Sequence, residues 1–210
     1  MKKILVVDND RMILKFMENI ISKAGHHVVT ADSGLSALDI LKTYTPEVIF
    51  VDLVMPQIDG KQLCRIIRRI EKLKNVYIFI LSAISAEEEI SIRDLGVDAC
   101  IAKGPFGEMA KNILHVIRKI DQSSTRFFSQ DIIGLKPISP RGITSELLSV
   151  KKHIELILDK MSDGILEITK EGRVVYANPR ALFLINKPIE KIVRAHVHEL
   201  FNMSDRRRVV

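Results

Sequence analysis

The chain has 210 residues, 47% of them hydrophobic but only 5% aromatic, and carries 32 Lys/Arg against 26 Asp/Glu for a formal charge of +6. So aliphatic a composition excludes a chain disordered throughout and suits one domain of ordinary size plus a smaller unit. The charge is uneven: residues 1–121 hold 17 basic and 16 acidic residues (+1), residues 122–210 hold 15 and 10 (+5), and Arg206, Arg207 and Arg208 supply much of the latter, so with no reading helix beside it no nucleic-acid partner is expected.

β-Branched runs alternate with segments of helical period from the start. Ile4–Val7 reads as a strand, residues 11–24 as a helix (apolar at Ile13, Phe16, Met17, Ile20 and Ile21), His27–Ala31 as a strand, and 34–43 as a helix on Leu35, Leu38 and Leu41. Val48–Val51 and Val76–Leu81 are apolar on both faces, as strands of a covered parallel sheet are. The helix between them is predicted over 61–73, on Leu63, Ile66, Ile67, Ile70 and Leu73; another follows over 86–95, then the strand Ala99–Ala102 and a helix over 106–120, on Met109, Ile113, Val116, Ile117 and Ile120. This alternation over residues 1–121 predicts an α/β fold, a flavodoxin-like, doubly wound, five-stranded parallel sheet with helices on both faces.

Residues 122–143 lose the periodicity and gain Ser, Gln, Pro137, Pro140 and Gly, which marks a linker with a short apolar piece at Ile132 and Ile133. A helix is predicted over 144–161, where Leu147, Val150, Ile154, Ile157 and Met161 are spaced 3, 4, 3, 4. That seam either pairs two chains into a homodimer or packs on the rest of this chain. Residues 162–210 open with a hairpin, Ile165–Ile168 and Arg173–Tyr176 about a turn at Lys170–Gly172, followed by short helical pieces.

Cys64 and Cys100 are the only cysteines, both within apolar patterns, which suits a reducing compartment. Lys2 and Lys3 precede only four apolar residues, too few for a signal peptide, and no apolar stretch is long enough to span a bilayer. A cytoplasmic location is the expectation.

In an open parallel sheet, ligands bind at the carboxyl ends of the strands, at the switch point. Asp8 follows the first strand, Asp52 the third, Ser82 the fourth and Lys103 the fifth, so four polar side chains distant in sequence are expected at one edge. Oxygens from Asp8, Asn9 and Asp52 suit a hard cation such as Mg²⁺. A carboxylate held there can attack a phosphoryl group, with a lysine neutralising charge on the transferred oxygens. Singly, each residue has a plain structural role: Asp52 caps a turn, Ser82 starts a helix, Lys103 is a solvated cation. Their joint placement points to a site.

Residues 1–121 resemble a response-regulator receiver domain through "ILVVDND", "VDLVMPQIDG", "ILSA" and "AKGPF", in that order. The resemblance implies that a sensor histidine kinase or phosphotransfer protein donates a phosphoryl group to Asp52. It implies Mg²⁺ held by Asp8, Asn9, Asp52 and the main-chain carbonyl of Val54, with Ser82 following the phosphate as the switch hydroxyl and Lys103 pairing with it. Such a domain phosphorylates and dephosphorylates itself without being a conventional enzyme. Three departures stand out. Asn9 replaces the second acid, so a negative charge is lost and weaker Mg²⁺ binding is expected; Asp10 either compensates or caps the first helix. Cys100 occupies the position of the aromatic switch residue. Gly104 separates Lys103 from Pro105, which places the family's cis peptide at Gly104–Pro105.

The stretch "DGI", "GRVVYANPRA" and "HELF" is similar to the first half of a PAS sensor domain. The remaining strands of that fold have no counterpart, which implies a truncated piece of a longer protein, or a hairpin that borrows strands, with no ligand bound by this half alone. His196 and His198 read as a surface pair with no third metal ligand, His153 as a solvated helix residue rather than a phosphoacceptor, and His26, His27 and His115 carry no partner pattern. The leading expectation is a phosphorylation switch at Asp52, transmitted through the helix at 144–161 to a PAS-like output. Two alternatives are a degenerate receiver serving as a dimerisation or docking scaffold, motivated by Asn9 and Cys100, and the N-terminal part of a hybrid sensor kinase.

Overall fold

A computed structural model of the chain describes residues 1–82, 95–122, 132–133 and 153–201. The chain divides into two units, Met1–Ser139 and Pro140–Val210. In the first, β1 (Lys3–Val7), β2 (His27–Ala31), β3 (Val48–Asp52), β4 (Tyr77–Ser82) and β5 (Ala99–Ala102) form a parallel sheet, and a two-residue β6 (Ile132–Ile133) completes the order β2-β1-β3-β4-β5-β6. The sheet is interleaved with α1 (Arg11–Lys23), α2 (Gly34–Thr43), α3 (Gly60–Arg69) and α4 (Phe106–Gln122). The helix expected at 86–95 lies almost wholly outside the described residues.

The central strands are apolar on both faces because both faces are covered. Ile4, Val6, Val48, Phe50, Phe79, Leu81, Ala99 and Ile101 point to one side, where Leu14, Met17 and Ile21 of α1 and Met109, Ile113, Val116, Ile117 and Ile120 of α4 close over them. Alternation sends Leu5, Val7, Ile49, Val51, Ile78, Ile80 and Cys100 to the opposite face, also buried. At roughly 1.5–3 kcal/mol per fully buried aliphatic or aromatic side chain, this two-sided core is what fixes the strand order, and with it the edge that carries the acids.

Four sequence expectations change here. On α1 the fully packed positions are Leu14, Met17 and Ile21, while Ile13, Phe16 and Ile20 lie at the core's margin. The helix expected over 61–73 ends at Arg69: Ile70 is extended (φ −83°, ψ 113°), and Glu71–Leu73 form a separate 3-10 turn. The sheet has six strands among the described residues rather than five, because Ile132–Ile133 pairs in parallel with Cys100–Ile101 and covers an edge of β5 that would otherwise be open. No peptide bond of the described residues is cis, so the cis peptide expected at Gly104–Pro105 is absent. Pro105 instead immediately precedes α4 in the ordinary trans form, its carbonyl accepting from the amides of Glu108 and Met109 (both 3.0 Å).

In the second unit, residues 153–160 form a helix (α5). The hairpin follows as β7 (Leu166–Ile168) against β8 (Val174–Ala177), antiparallel with a bulge between Glu167 and Ile168, and then α6 (Pro179–Ile185), α7 (Ile189–Ile192) and α8 (Val197–Leu200). Its core is small: Val174, Ala177, Ala181 and Ile192, flanked by Leu166, Leu182, Ile185 and Leu200. Asn178 stitches it together from a fully buried position. Its Oδ1 accepts from Ile165 N and Ala181 N (both 2.9 Å), and its Nδ2 donates to the carbonyls of Leu158 (3.0 Å) and Asp163 (2.9 Å). Of the expected 144–161 helix only the last part is described, and there Ile154, Ile157 and Met161 are exposed. No helix of the described residues is long and apolar enough to cross a membrane.

Candidate functional site

The site follows from strand register. Val6 pairs with Phe50 and Val7 with Val51, so Asp8, one residue past β1, comes level with Asp52 at the end of β3. Asp52 in turn pairs with Leu81, and Leu81 with Ile101. Asp8, Asp52 and Lys103 each lie two residues beyond a side chain of the α1–α4 face, namely Val6, Phe50 and Ile101, so the alternation that builds the core also aims all three to one side. Lys103 Nζ bridges them, 2.8 Å from Asp8 Oδ2 and 2.9 Å from Asp52 Oδ1. Asp8 is fully buried and Asp52 nearly so.

Burial is the largest influence on Asp52 and raises its carboxyl pKa above the ordinary 3.8; the charge of Asp8 adds to this, while the Lys103 ammonium and the Val54 amide oppose it. Burial works against the Lys103 charge, but Asp52 and Asp8 outweigh it and hold the ammonium above its usual range. The lysine is therefore a fixed cation between two anions.

Ser82 ends β4 one residue beyond Leu81, the partner of Asp52, and is buried; its carbonyl accepts from Lys103 N at 2.6 Å. Cys100 pairs with Ile80, and so lies on the Ser82 side of the sheet, buried. Asp10 is occupied as the N-cap of α1, its Oδ1 accepting from Met12 N at 2.7 Å. The cap role expected from the sequence is therefore filled. Both oxygens of Asp8 are also engaged, Oδ1 by Asp10 N at 2.9 Å and Oδ2 by Lys103.

Among the described residues no three His, Cys, Asp or Glu side chains gather as metal ligands, so a cation would draw on a mixed set. The set is hard: the Asp52 carboxylate, the Asn9 amide and the carbonyl of Val54 face one another, with the Asn9 amide terminus 3.3 Å from Asp52 Oδ2 and 3.2 Å from Val54 O. With the amide oxygen turned inward, three oxygens meet without a proton between them, a donor set that fits Mg²⁺.

Sequence patterns did not reveal what holds the β3–α3 loop. A Cβ on Gly60 would lie 2.2 Å from the carbonyl oxygen of Asp52 and 2.8 Å from Leu53 Cα. The glycine is the condition for α3 to begin against the end of β3. Its amide donates to Leu53 O at 3.1 Å, and Asp59 caps α3 by accepting from Gln62 N at 2.8 Å. Nor did spacing single out Arg68 and Asp98. Asp98, fully buried, accepts from Ile78 N (2.8 Å) and pairs with Arg68 (3.1 Å), whose other donors reach the carbonyls of Gly96 and Val76 (both 2.7 Å).

A wound parallel sheet with two acids and a lysine joined at the carboxyl ends of β1, β3 and β5 defines a receiver-type α/β module. The family model for the response regulator receiver domain matches residues 4–114, more than half of the chain, and the chain belongs to that two-component signalling family. It is 35% identical over 127 residues to a probable transcriptional regulator ycf27 of Porphyridium aerugineum, covering 59% of this chain and 51% of that protein; it thus spans about half the length of that curated relative. Among solved structures it is similar to the Vibrio cholerae chemotaxis protein CheY4 (26% identity, 57% of this chain and 98% of that one, TM-score 0.53). It is likewise similar to the receiver domain of the Francisella response regulator 1452 (29%, 57% and 99%, TM-score 0.50).

Proposed function

We propose that Asp52 is a phosphoacceptor, loaded by a histidine kinase or phosphotransfer protein, and that its modification is passed to the second unit. The observation that carries this reading is the Lys103 ammonium set between Asp8 and Asp52. A structural salt bridge needs one acid; a second buried acid beside the first is a cost that phosphoryl chemistry explains.

In the proposed reaction a carboxylate oxygen of Asp52 attacks phosphorus in line. The new P–O bond forms as the P–N bond of a phosphohistidine, or the P–O bond of acetyl phosphate, breaks, and the leaving imidazole takes a proton from solvent. Bound Mg²⁺ would neutralise charge on the transferred oxygens, held by Asp52, Asn9 and the Val54 carbonyl with Asp8 behind them. Lys103, kept protonated by its two acids, pairs with the phosphoryl oxygens as Asp52 gives up its own charge. Ser82 at the end of β4 is the hydroxyl nearest in register to follow the product. The hairpin and short helices of the second unit support a PAS-like output, the half-domain that "GRVVYANPRA" resembles.

The test is intact mass after incubation with acetyl phosphate and Mg²⁺. A gain of about 80 Da, the mass of one phosphoryl group, that is lost in Asp52→Ala supports the switch. No gain would leave the family's fold serving as a docking or dimerisation scaffold.

A further inference from the structure

Asn9 stands in an unusual relation to its neighbours. One end of its amide faces only acceptors, Asp52 Oδ2 at 3.3 Å and Val54 O at 3.2 Å, and the other end faces only donors. An amide has a donor end and an acceptor end, related by a half-turn of the side chain. Nitrogen inward, it makes two hydrogen bonds and ties the phosphoacceptor to the β3–α3 loop. Oxygen inward, it makes none here, and three oxygens confront each other unless a cation lies between them. The two orientations are therefore the ones a metal-free and a metal-loaded site each require.

The surroundings leave this choice to Asn9 alone. Asp8 Oδ1 accepts from Asp10 N, and its Oδ2 lies in the ion pair with Lys103. Asp10 caps α1. The Asp8–Asp10 turn holds the backbone on either side, and residue 9 is exposed, so its side chain turns without the main chain moving. An aspartate at this position has no donor to offer and would add a third negative charge beside Asp8 and Asp52.

We infer that Asn9 is a positioning residue with two working orientations: a nitrogen-inward clasp on Asp52 and Val54 that orders the metal-free site, and an oxygen-inward ligand once Mg²⁺ arrives. The inference rests on the proposed phosphoacceptor reading, and gives that site a consequence the lost charge alone does not: it stays assembled without a cation, and cation binding is coupled to an amide turn.

The test uses the full chain labelled with ¹⁵N-asparagine, the Asn9 side-chain signals being assigned by their loss in Asn9→Ala. In chelator, the Asn9 amide protons should exchange with water at least about tenfold more slowly than those of exposed Asn75, the protection expected of hydrogen-bonded groups. Saturating Mg²⁺ should abolish that difference. Exchange equal to that of Asn75 in chelator, or protection that Mg²⁺ leaves unchanged, would overturn the inference. A second readout is thermal: Asn9→Asp should melt below wild type in chelator and gain more from Mg²⁺ than wild type does, and equal gains would also overturn it. Neither readout involves phosphorylation, so a protein that passes both yet never gains phosphate at Asp52 would sink the proposed function and leave the amide turn standing.

Discussion

Replacing Lys103 by Met removes a cation that touches two acids at once. The lost contacts are at 2.8 and 2.9 Å, to carboxylates whose side chains are 0% and 8% exposed, from a lysine that is 20% exposed. An exposed pair would matter little, about 0–1 kcal/mol. Stranding a buried charge costs about 3–5 kcal/mol, and the lysine's partial access to water places this case near 3 kcal/mol. For a unit of this size that is a fall of roughly 10 °C in melting temperature, read by circular dichroism in chelator at pH 7.5. The pH dependence has a definite sign. Asp52 already has a folded pKa above its ordinary value, through burial and Asp8, and such a carboxyl favours the folded state fully below its unfolded pKa and loses that contribution as pH rises through the folded one. Without Lys103 the pKa of Asp52 rises further, so the deficit relative to wild type is greatest at neutral pH and shrinks toward pH 4 as Asp52 takes up a proton. Mg²⁺ should also reduce it. An unchanged melting temperature, or a deficit that grows on acidification, would refute the reasoning.

Other expectations follow from the same geometry. Gly60→Ala forces a Cβ against the Asp52 carbonyl and Leu53 Cα; the backbone must shift at a cost of about 1–3 kcal/mol, visible in urea titration together with loss of phosphorylation at Asp52. Asp98→Ala leaves Arg68 and the Ile78 amide without their buried acceptor and should destabilise the first unit by about 3 kcal/mol, with no change in Mg²⁺ affinity. Asn178→Ala removes four hydrogen bonds from a buried position and should melt the second unit, by about 2–3 kcal/mol, before the first, seen by hydrogen exchange. Burial pushes the Cys64 thiol from 9.0 up to about 12, so a disulfide reagent at pH 8 should label it only after denaturant is added. That group's stabilising contribution holds below pH 9 and is lost as pH climbs toward 12.

The wound sheet was legible because parallel strands buried on both faces leave continuous apolar runs, and Asp8, Asp52 and Lys103 stood out as the polar residues ending those runs. Boundaries and edges were harder. Ile70 and Leu73 keep the apolar period of α3, yet the chain leaves the helix at Ile70 and returns through a 3-10 turn, which period alone cannot register. Ile132–Ile133 looked like linker because two residues carry no periodicity; only the open edge of β5 makes them a strand. Leu14 is not part of the apolar face that the sequence predicts for α1, yet it packs fully while Ile13 and Phe16 sit at the margin, Phe16 stacked on Phe106 at 4.5 Å. Arg68–Asp98 and Asn178 were invisible for a related reason: Arg68 and Asp98 lie 30 residues apart, and the other partners of all three side chains are main-chain groups brought close by the fold, which have no sequence signature. The expected cis peptide at Gly104–Pro105 was an inheritance from the family pattern, and Gly104, inserted before the proline, is where this chain departs from it.

The central claim is that the carboxylate at the end of β3 takes the phosphoryl group while its neighbour Asp8 does not. Borohydride reduces an aspartyl phosphate to homoserine, and peptide sequencing by mass spectrometry then names the position. After reaction with acetyl phosphate and Mg²⁺, homoserine at residue 52 alone is the predicted result; homoserine at residue 8, or a phosphorylated chain with none at 52, would contradict the account.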